Sequence, residues 1–265
     1  MENLVNNYVT YADLKGKVAI VTGASKGIGK EIAKALGSNS VNVNIVDIDV
    51  KSGEETVKEF KDFGINANFY EMDVTSLAEI NSVFDKVKST FNKIDILVNN
   101  AGIVIRGPSV SYSEGDWRKN IDVMLNGVFF CSQVAGKYMI ENKSGNIVNI
   151  SSINAKLAGS EIASYCVAKA GVDMLTRVLA VEWAQYGIRV NSILPGVTKT
   201  EMVRRVIELG LVNPETLEKR TPMKRFANPK EIAQCILFLA SDASSFMTGS
   251  NVIVDGGMVA WGYNI

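Results

Sequence analysis

Over the first half of the chain, short runs of β-branched and apolar residues alternate with longer stretches whose apolar positions recur every three or four residues. The short runs read as strands: VAIVT (Val18 to Thr22), VNVNIVD (Val41 to Asp47), ANFYEM (Ala67 to Met72), DILVNN (Asp95 to Asn100) and NIVNIS (Asn146 to Ser151). Two more follow, IRVNSIL (Ile188 to Leu194) and NVIVD (Asn251 to Asp255). The longer stretches, such as IGKEIAKAL and LAEINSVFDKVKSTF, read as amphipathic helices. This alternation predicts βαβ units and a mostly parallel sheet covered on both faces. VAIVT and DILVNN are apolar on both sides, as central parallel strands should be. No Pro/Gly/Ser-rich linker divides the chain, so a single α/β domain over residues 1–265 is expected. Only the stretch from Thr198 to Asn228 breaks the rhythm. It reads as one or two short helices within a long connection, a candidate lid.

Composition narrows the chemistry. With 47% apolar and 21% charged residues the chain has the profile of a soluble globular protein. Lys plus Arg and Asp plus Glu both number 28, so no basic excess argues for nucleic acid or a membrane surface. No apolar run is long enough to span a bilayer, and the start MENLVNNYVTYADLKGK lacks the pattern of a secretory signal. With three scattered cysteines, Cys131, Cys166 and Cys235, these features predict a cytoplasmic protein. The chain contains no histidine, which excludes Ser-His-Asp and Cys-His catalysis and any zinc site built on imidazole; no metal site is expected. A proton must move through another side chain.

The segment TGASKGIG, Thr22 to Gly29, follows the first strand and opens the first helix. Its glycines permit a tight turn and close backbone approach to a pyrophosphate, which the free N–H groups of a helix N-terminus then face. Asp47 ends the second strand, 18 residues after Gly29, where a carboxylate can accept from the adenosine ribose hydroxyls and repel a 2′-phosphate. NAD is therefore favoured. Lys26 in the turn and Lys51 after the strand are the opposing signals, and keep NADP open.

Tyr165 and Lys169, four residues apart in SYCVAKAG, share one face of a helix. A tyrosine pKa of about 10 is too high for proton transfer near neutrality, and a neighbouring ammonium together with a positive nicotinamide ring would lower it. Taken alone, this pair is also an ordinary surface pattern.

Its context resembles the short-chain dehydrogenase/reductase family. The chain carries TGxxxGxG at Thr22 to Gly29, Asp73 at a strand end, NNAG at Asn99 to Gly102 and Asn126 within MLNGVF. Ser152 lies thirteen residues before Tyr165, YxxxK spans Tyr165 to Lys169, PGxxxT spans Pro195 to Thr200, and FLASDASSFMTGSNVIVDGG resembles the family's last helix and strand. The likeness covers roughly residues 14 to 257. It implies a doubly wound, Rossmann-type parallel sheet of seven strands with helices on both faces. It also implies Tyr165 as general acid or base, Lys169 on the nicotinamide ribose, Ser152 orienting the substrate carbonyl or hydroxyl, and Asn126 holding a proton-relaying water. The cofactor would be held by Gly23, Ser25, Lys26, Gly27, Ile28 and Gly29 of the turn, with Asp47. Asp73 and Val74 would meet adenine and Asn99 the adenosine ribose. Ala101, Gly102, Pro195, Gly196, Val197 and Thr200 complete the cradle, Thr200 toward the carboxamide. The departure is SNSVNVN before Asp47, where the family more often has a Gly/Ala-rich turn.

The whole chain looks most similar to the branch acting on sugars, polyols and sugar acids, such as gluconate 5-dehydrogenase. Arg106, in NNAGIVIRGP, fits that reading, since a guanidinium binds a carboxylate bidentately or several hydroxyls; an exposed loop arginine is the plainer reading. Glu161 reads first as a solvated loop charge. Met202, Val203, Val206 and Ile207 read as the buried face of a short helix, or as the wall of an apolar pocket. The aromatic tail GGMVAWGYNI reads as interface packing, and the resemblance implies a homotetramer. The expected function is interconversion of a secondary alcohol and a ketone on a small molecule with NAD. The alternatives are an NADPH-dependent reductase of 3-oxoacyl thioesters or other ketones, and a dinucleotide-binding regulator without turnover.

Overall fold

The computed structural model describes residues 8–261. All seven expected strands form, as β1 (Val18–Thr22), β2 (Asn42–Asp47), β3 (Ala67–Glu71), β4 (Ile96–Asn99), β5 (Gly145–Ile150), β6 (Ile188–Pro195) and β7 (Asn251–Val254). They make one sheet in the order β3-β2-β1-β4-β5-β6-β7, with every pairing parallel. The helices are α1 (Gly27–Ser38), α2 (Val50–Asp62), α3 (Leu77–Phe91), α4 (Glu114–Ile121), α5 (Gly127–Asn142), α6 (Ala163–Trp183), α7 (Glu201–Glu208), α8 (Pro214–Arg220) and α9 (Pro229–Ala240).

Strand side chains alternate between two cores, because successive residues point to opposite faces. Ala19 and Val21 of β1 join Ile32 and Leu36 of α1, Phe60 of α2 and Ile236 of α9 on one face. Val18 and Ile20 join Phe84 of α3, Val134 and Met139 of α5, and Leu179 of α6 on the other. Burial on both faces accounts for the continuous apolar run of β1. Through this doubly covered sheet runs a buried polar relay: Asn99 donates to Ser132 at 2.9 Å and to Asn149 at 2.8 Å, and Asn149 donates to Thr176 at 2.9 Å. Each buried amide thereby finds partners, which fixes the register of β4, β5, α5 and α6.

Strand order reverses between β1 and β4, so the loops leaving their C-terminal ends diverge and open a crevice. Two features were not foreseen. Residues Asp122–Asn126 form a π-helical turn between α4 and α5, closed by the Gly127 N–H on the Asp122 carbonyl. In the departing loop before β2, Ser40 has a φ of 59°, a left-handed conformation that a glycine would take without strain. No helix among the described residues is long and apolar enough to cross a membrane.

Candidate active site

At the crevice the glycine-rich turn is shaped by close contacts. Gly23 has a φ of +61°, and a Cβ there would lie 2.7 Å from the Ala101 Cα; one on Gly29 would lie 2.3 Å from the Gly23 carbonyl oxygen. The turn is held from β4 by Asn100, whose amide donates to the carbonyls of Thr22 at 3.0 Å and Gly23 at 2.8 Å. The Thr22 hydroxyl in return accepts from the main-chain N–H groups of Asn100 and Ala101, both at 3.0 Å. Asn100 belongs to the NNAG motif, but its role as clamp depends on a contact across the sheet that no local pattern reveals.

No side chain caps the N-terminus of α1, where Lys26 is the N-cap and Gly27, Ile28 and Gly29 begin the helix. Its first amides are thus left for an anion, which is what a pyrophosphate requires. Asp47, at the end of β2, accepts from the Ser25 N–H at 3.1 Å, the Ser25 hydroxyl at 2.5 Å and the Asp49 N–H at 3.1 Å. An ionised carboxylate has about four acceptor sites, so one remains for a ribose hydroxyl. Lys26 is paired with Asp49 at 2.8 Å; that contact, with the Ser52 N–H, brings the Asp49 carboxyl down to about 2. An uncapped helix start, a turn too tight for a Cβ and a free acceptor at the strand end fit a dinucleotide.

The other expected cofactor positions ring this turn. Asp73 and Val74 follow β3; the Asp73 carboxylate already accepts from the Thr75 N–H and hydroxyl, both at 2.8 Å. Val74 is nearly buried, against the start of α5. Both N–H groups of the Asn99 side-chain amide are engaged in the buried relay, so that side chain has no donor left for the ribose contact implied by the resemblance. Gly102 lies against Met124, and Gly196 against the Asp255 backbone, each too close for a Cβ. Pro195 is buried at the end of β6, with Val197 partly buried beyond it. Thr200 caps α7 by accepting from the Val203 N–H at 3.3 Å, and its methyl approaches Gly27.

Helix α6 brings the catalytic candidates together. Lys169 is buried, its Nζ donates to the Ile150 carbonyl at 2.5 Å and lies 5.8 Å from the Tyr165 ring centroid. Ser152, two residues beyond the end of β5 at Ile150 and also buried, accepts from the Asn154 N–H at 3.1 Å and reaches the Tyr165 phenol. Asn126 closes the π-turn, its amide donating to Asp122 at 2.8 Å; single π-turns recur at functional sites because they displace one carbonyl from the helical ladder.

The protein groups by themselves do not lower the Tyr165 pKa. Burial pushes the Tyr165 phenol up, the Ser152 hydrogen bond opposing it. Burial also brings Lys169 down to about 8, with Asp173 opposing. The expected lowering of Tyr165 by Lys169 is therefore not achieved by the protein groups alone; desolvation outweighs a cation whose proton is already directed at Ile150.

Arg106 is not a lone loop arginine. Its guanidinium meets Glu161 at 3.2 Å, while its Nε is buried without a partner. Glu161, four residues before Tyr165, has a φ of 63° and its carbonyl accepts from the Gly107 N–H at 2.9 Å. It is the exposed loop charge expected, and in addition an ion-pair partner across two loops. Behind them Tyr112 donates to the Ile105 carbonyl at 2.8 Å, and Asn120 donates to Ser164 at 2.8 Å; neither residue was singled out from sequence.

The 198–228 stretch holds two short helices, α7 and α8, with no buried residue in either. Met202 is half exposed, and Val203, Val206 and Ile207 are only partly covered, so the expected buried face does not form. The excursion is pinned at its base by the Thr198–Ala227 bridge. Of the tail, residues 262–265 lie outside the described residues; Trp261 lies under Lys224 of the same chain, 4.7 Å from Nζ to ring centroid.

A family profile described as Enoyl-(Acyl carrier protein) reductase matches residues 23–259. The 5-keto-D-gluconate 5-reductase of Escherichia coli is 37% identical over 246 residues, covering 93% of this chain and 96% of its own. The 3-oxoacyl-(acyl-carrier-protein) reductase FabG of Thermotoga maritima is 39% identical, covering 93% and 99%. Among solved structures, a gluconate 5-dehydrogenase from Burkholderia cenocepacia, in complex with NADP and tartrate, superposes with a TM-score of 0.89 at 34% identity, covering 94% of this chain and 98% of that one. With this fold and these matches, the chain belongs to the short-chain dehydrogenase/reductase family, as an NAD(P)-dependent oxidoreductase acting on CH–OH groups.

Proposed function

We propose that this enzyme interconverts a secondary alcohol and a ketone on a sugar, polyol or sugar acid, with NAD, and that Tyr165, Lys169, Ser152 and Asn126 carry the reaction. The observation behind this reading is the convergence of Ser152 and buried Lys169 on the partly buried Tyr165. When bound, the nicotinamide supplies the carbon that accepts or donates hydride. Ser152 positions the substrate oxygen toward the phenol. Tyr165 takes the hydroxyl proton in oxidation and returns it in reduction. Burial pushes the phenol pKa up, so Tyr165 would take the substrate proton as the phenolate, its own proton having first left through the water at Asn126, and a positive charge close by would favour that form. Lys169 serves the nicotinamide ribose. Asn126, at the π-turn, holds a water that passes the proton outward.

Gly23, Ser25, Lys26, Gly27, Ile28 and Gly29 would hold the pyrophosphate, Asp47 the adenosine ribose, and Ala101, Gly102, Pro195, Gly196, Val197 and Thr200 the remainder. NAD is supported over NADP by two carboxylates, Asp47 and Asp49, at the end of β2, and by the engagement of Lys26 with Asp49. Arg106 is the substrate-binding cation, supported by its buried, unpartnered Nε. Residues 198–228 act as the lid. An apolar stripe on α6, Val167, Met174, Val178 and Val181, is exposed and supports a homotetramer. Three free cysteines support a cytoplasmic location.

The test is nicotinamide reduction across sugar acids, polyols, hydroxyacyl thioesters and hydroxysteroids, with NAD and NADP, beside Tyr165→Phe. Turnover of a polyhydroxylated compound with NAD, reduced ~10²–10⁴-fold in the variant, is expected. The similarity to the 3-oxoacyl reductase favours the second reading; turnover confined to NADP and hydroxyacyl thioesters would establish it instead.

A further inference from the structure

Helix α6 carries a third ionisable residue on the face of Tyr165 and Lys169. Asp173 lies one turn beyond Lys169 and is 4% exposed. No hydroxyl or amide donates to either of its carboxylate oxygens among the described residues. Its partner is Lys156, at 2.9 Å, which ends the short turn Ile153–Ala155 immediately after Ser152. A buried carboxylate with no hydroxyl or amide donor relies on its cations, and this one stands beside two lysines.

We propose that Asp173 is a positioning residue for the reaction: gripped by Lys156, it locks the turn that presents Ser152 against the helix that presents Tyr165 and Lys169. This rests on the oxidoreductase reading above. The end of β5 is tied to the helix nearby by the Ser151 hydroxyl on the Lys169 carbonyl at 3.2 Å and by the Lys169 amine on the Ile150 carbonyl at 2.5 Å; the Lys156–Asp173 pair adds a link from the far end of the turn. Cation and anion therefore set where Ser152 stands relative to the phenol. Asp173 also opposes the effect of burial on Lys169, whose amine would otherwise lean further toward its neutral form. If Lys156 is removed, the unpaired carboxylate draws on the nearest remaining cation, Lys169, and pulls it from Ile150. Both lesions reach the same place by different routes.

The experiment compares wild type, Asp173→Asn, Lys156→Met, Lys156→Arg and the Asp173→Asn/Lys156→Met double variant. NADH affinity is read by fluorescence, and kcat and KM with whichever of D-gluconate, glycerol or a 3-hydroxyacyl thioester the wild type oxidises. Asp173→Asn is expected to weaken NADH and lower kcat, each ~10-fold, as for loss of one close charge interaction, with substrate KM within about twofold. Lys156→Met should lower kcat similarly, Lys156→Arg should restore it, and the double variant should be no worse than Asp173→Asn, since contacting groups couple. Lys156 reaches the surface, so its variants carry the test even where Asp173→Asn does not fold. Wild-type NADH affinity and kcat in both single variants, with only a lowered melting temperature, would overturn the proposal and leave the activity intact. A wild type that bound neither NADH nor NADPH would instead overturn the oxidoreductase reading.

Discussion

At the single-residue scale, the glycine turn shows how little room the site leaves. Gly23 combines a positive φ with a main-chain neighbour, and neither tolerates a side chain. We predict that Gly23→Ala costs about 1–3 kcal/mol of stability and removes measurable NADH binding, read by thermal unfolding and fluorescence titration. Retained NADH affinity would place the cofactor elsewhere. Gly27 has a φ of +58° but only the Thr200 side chain nearby, at 3.7 Å, so the demand there is conformational. Asp47 decides between cofactors. Its carboxylate is shared among Ser25, Asp49 and the proposed ribose, and a 2′-phosphate about 4 Å away would meet a repulsion of ~4 kcal/mol near a protein surface. Asp47→Asn is expected to raise kcat/KM with NADP relative to NAD by at least ~10-fold; an unchanged ratio would remove the basis for preferring NAD.

Among the elements, α9 offers the cleanest pH prediction. Asn228 and Glu231 form a capping box at its start, and Glu231 also accepts both guanidinium NH groups of Arg225, at 2.7 and 2.8 Å. The Arg225 hydrogen bonds, foremost, with the Asn228 N–H, hold the Glu231 carboxyl down to about 2, from 4.5. A depressed carboxyl stabilises the fold above its unfolded value and loses that contribution as the pH falls through its folded one. The Glu231 contribution is therefore complete above about pH 4.5 and lost toward about 2. The pair is exposed, so solvent screening keeps its contribution small. Melting temperatures of wild type and Glu231→Gln should differ at pH 6 and converge toward pH 2. A constant difference would show that the cap acts through geometry and not charge. Of the other elements, α7 and α8 contribute no buried residue.

For the whole molecule, the unpartnered surfaces matter most. Val167, Met174, Val178 and Val181 stand exposed along α6, and Phe246 and Ile253 stand exposed near the edge strand β7. Apolar stripes of this kind mark association surfaces. Light scattering is expected to report a tetramer for wild type and a smaller species for Val178→Glu. A monomeric wild type would refute the assembly but not the active site, which lies within one chain. Saturation with cofactor at 100 times its Kd should stabilise the protein by about 2.7 kcal/mol, and the better cofactor should give the larger melting shift at equal concentration.

The sequence by itself determined the seven strands, their alternation with helices and the glycine turn. These depend on local periodicity and on glycines that only one geometry accommodates. The motifs marked Tyr165, Lys169 and Ser152, and the broken rhythm after Thr198 marked a stretch that holds two short helices. Tertiary structure alone decided the rest. The Asn100 clamp, the inward turn of Asn99, the Arg106–Glu161 pair and the Lys156–Asp173 grip all join residues distant in the chain. The π-turn at Asn126 follows no hydrophobic period. The rise of the Tyr165 phenol followed from burial, and burial is a property of the folded surroundings that spacing along a chain does not carry.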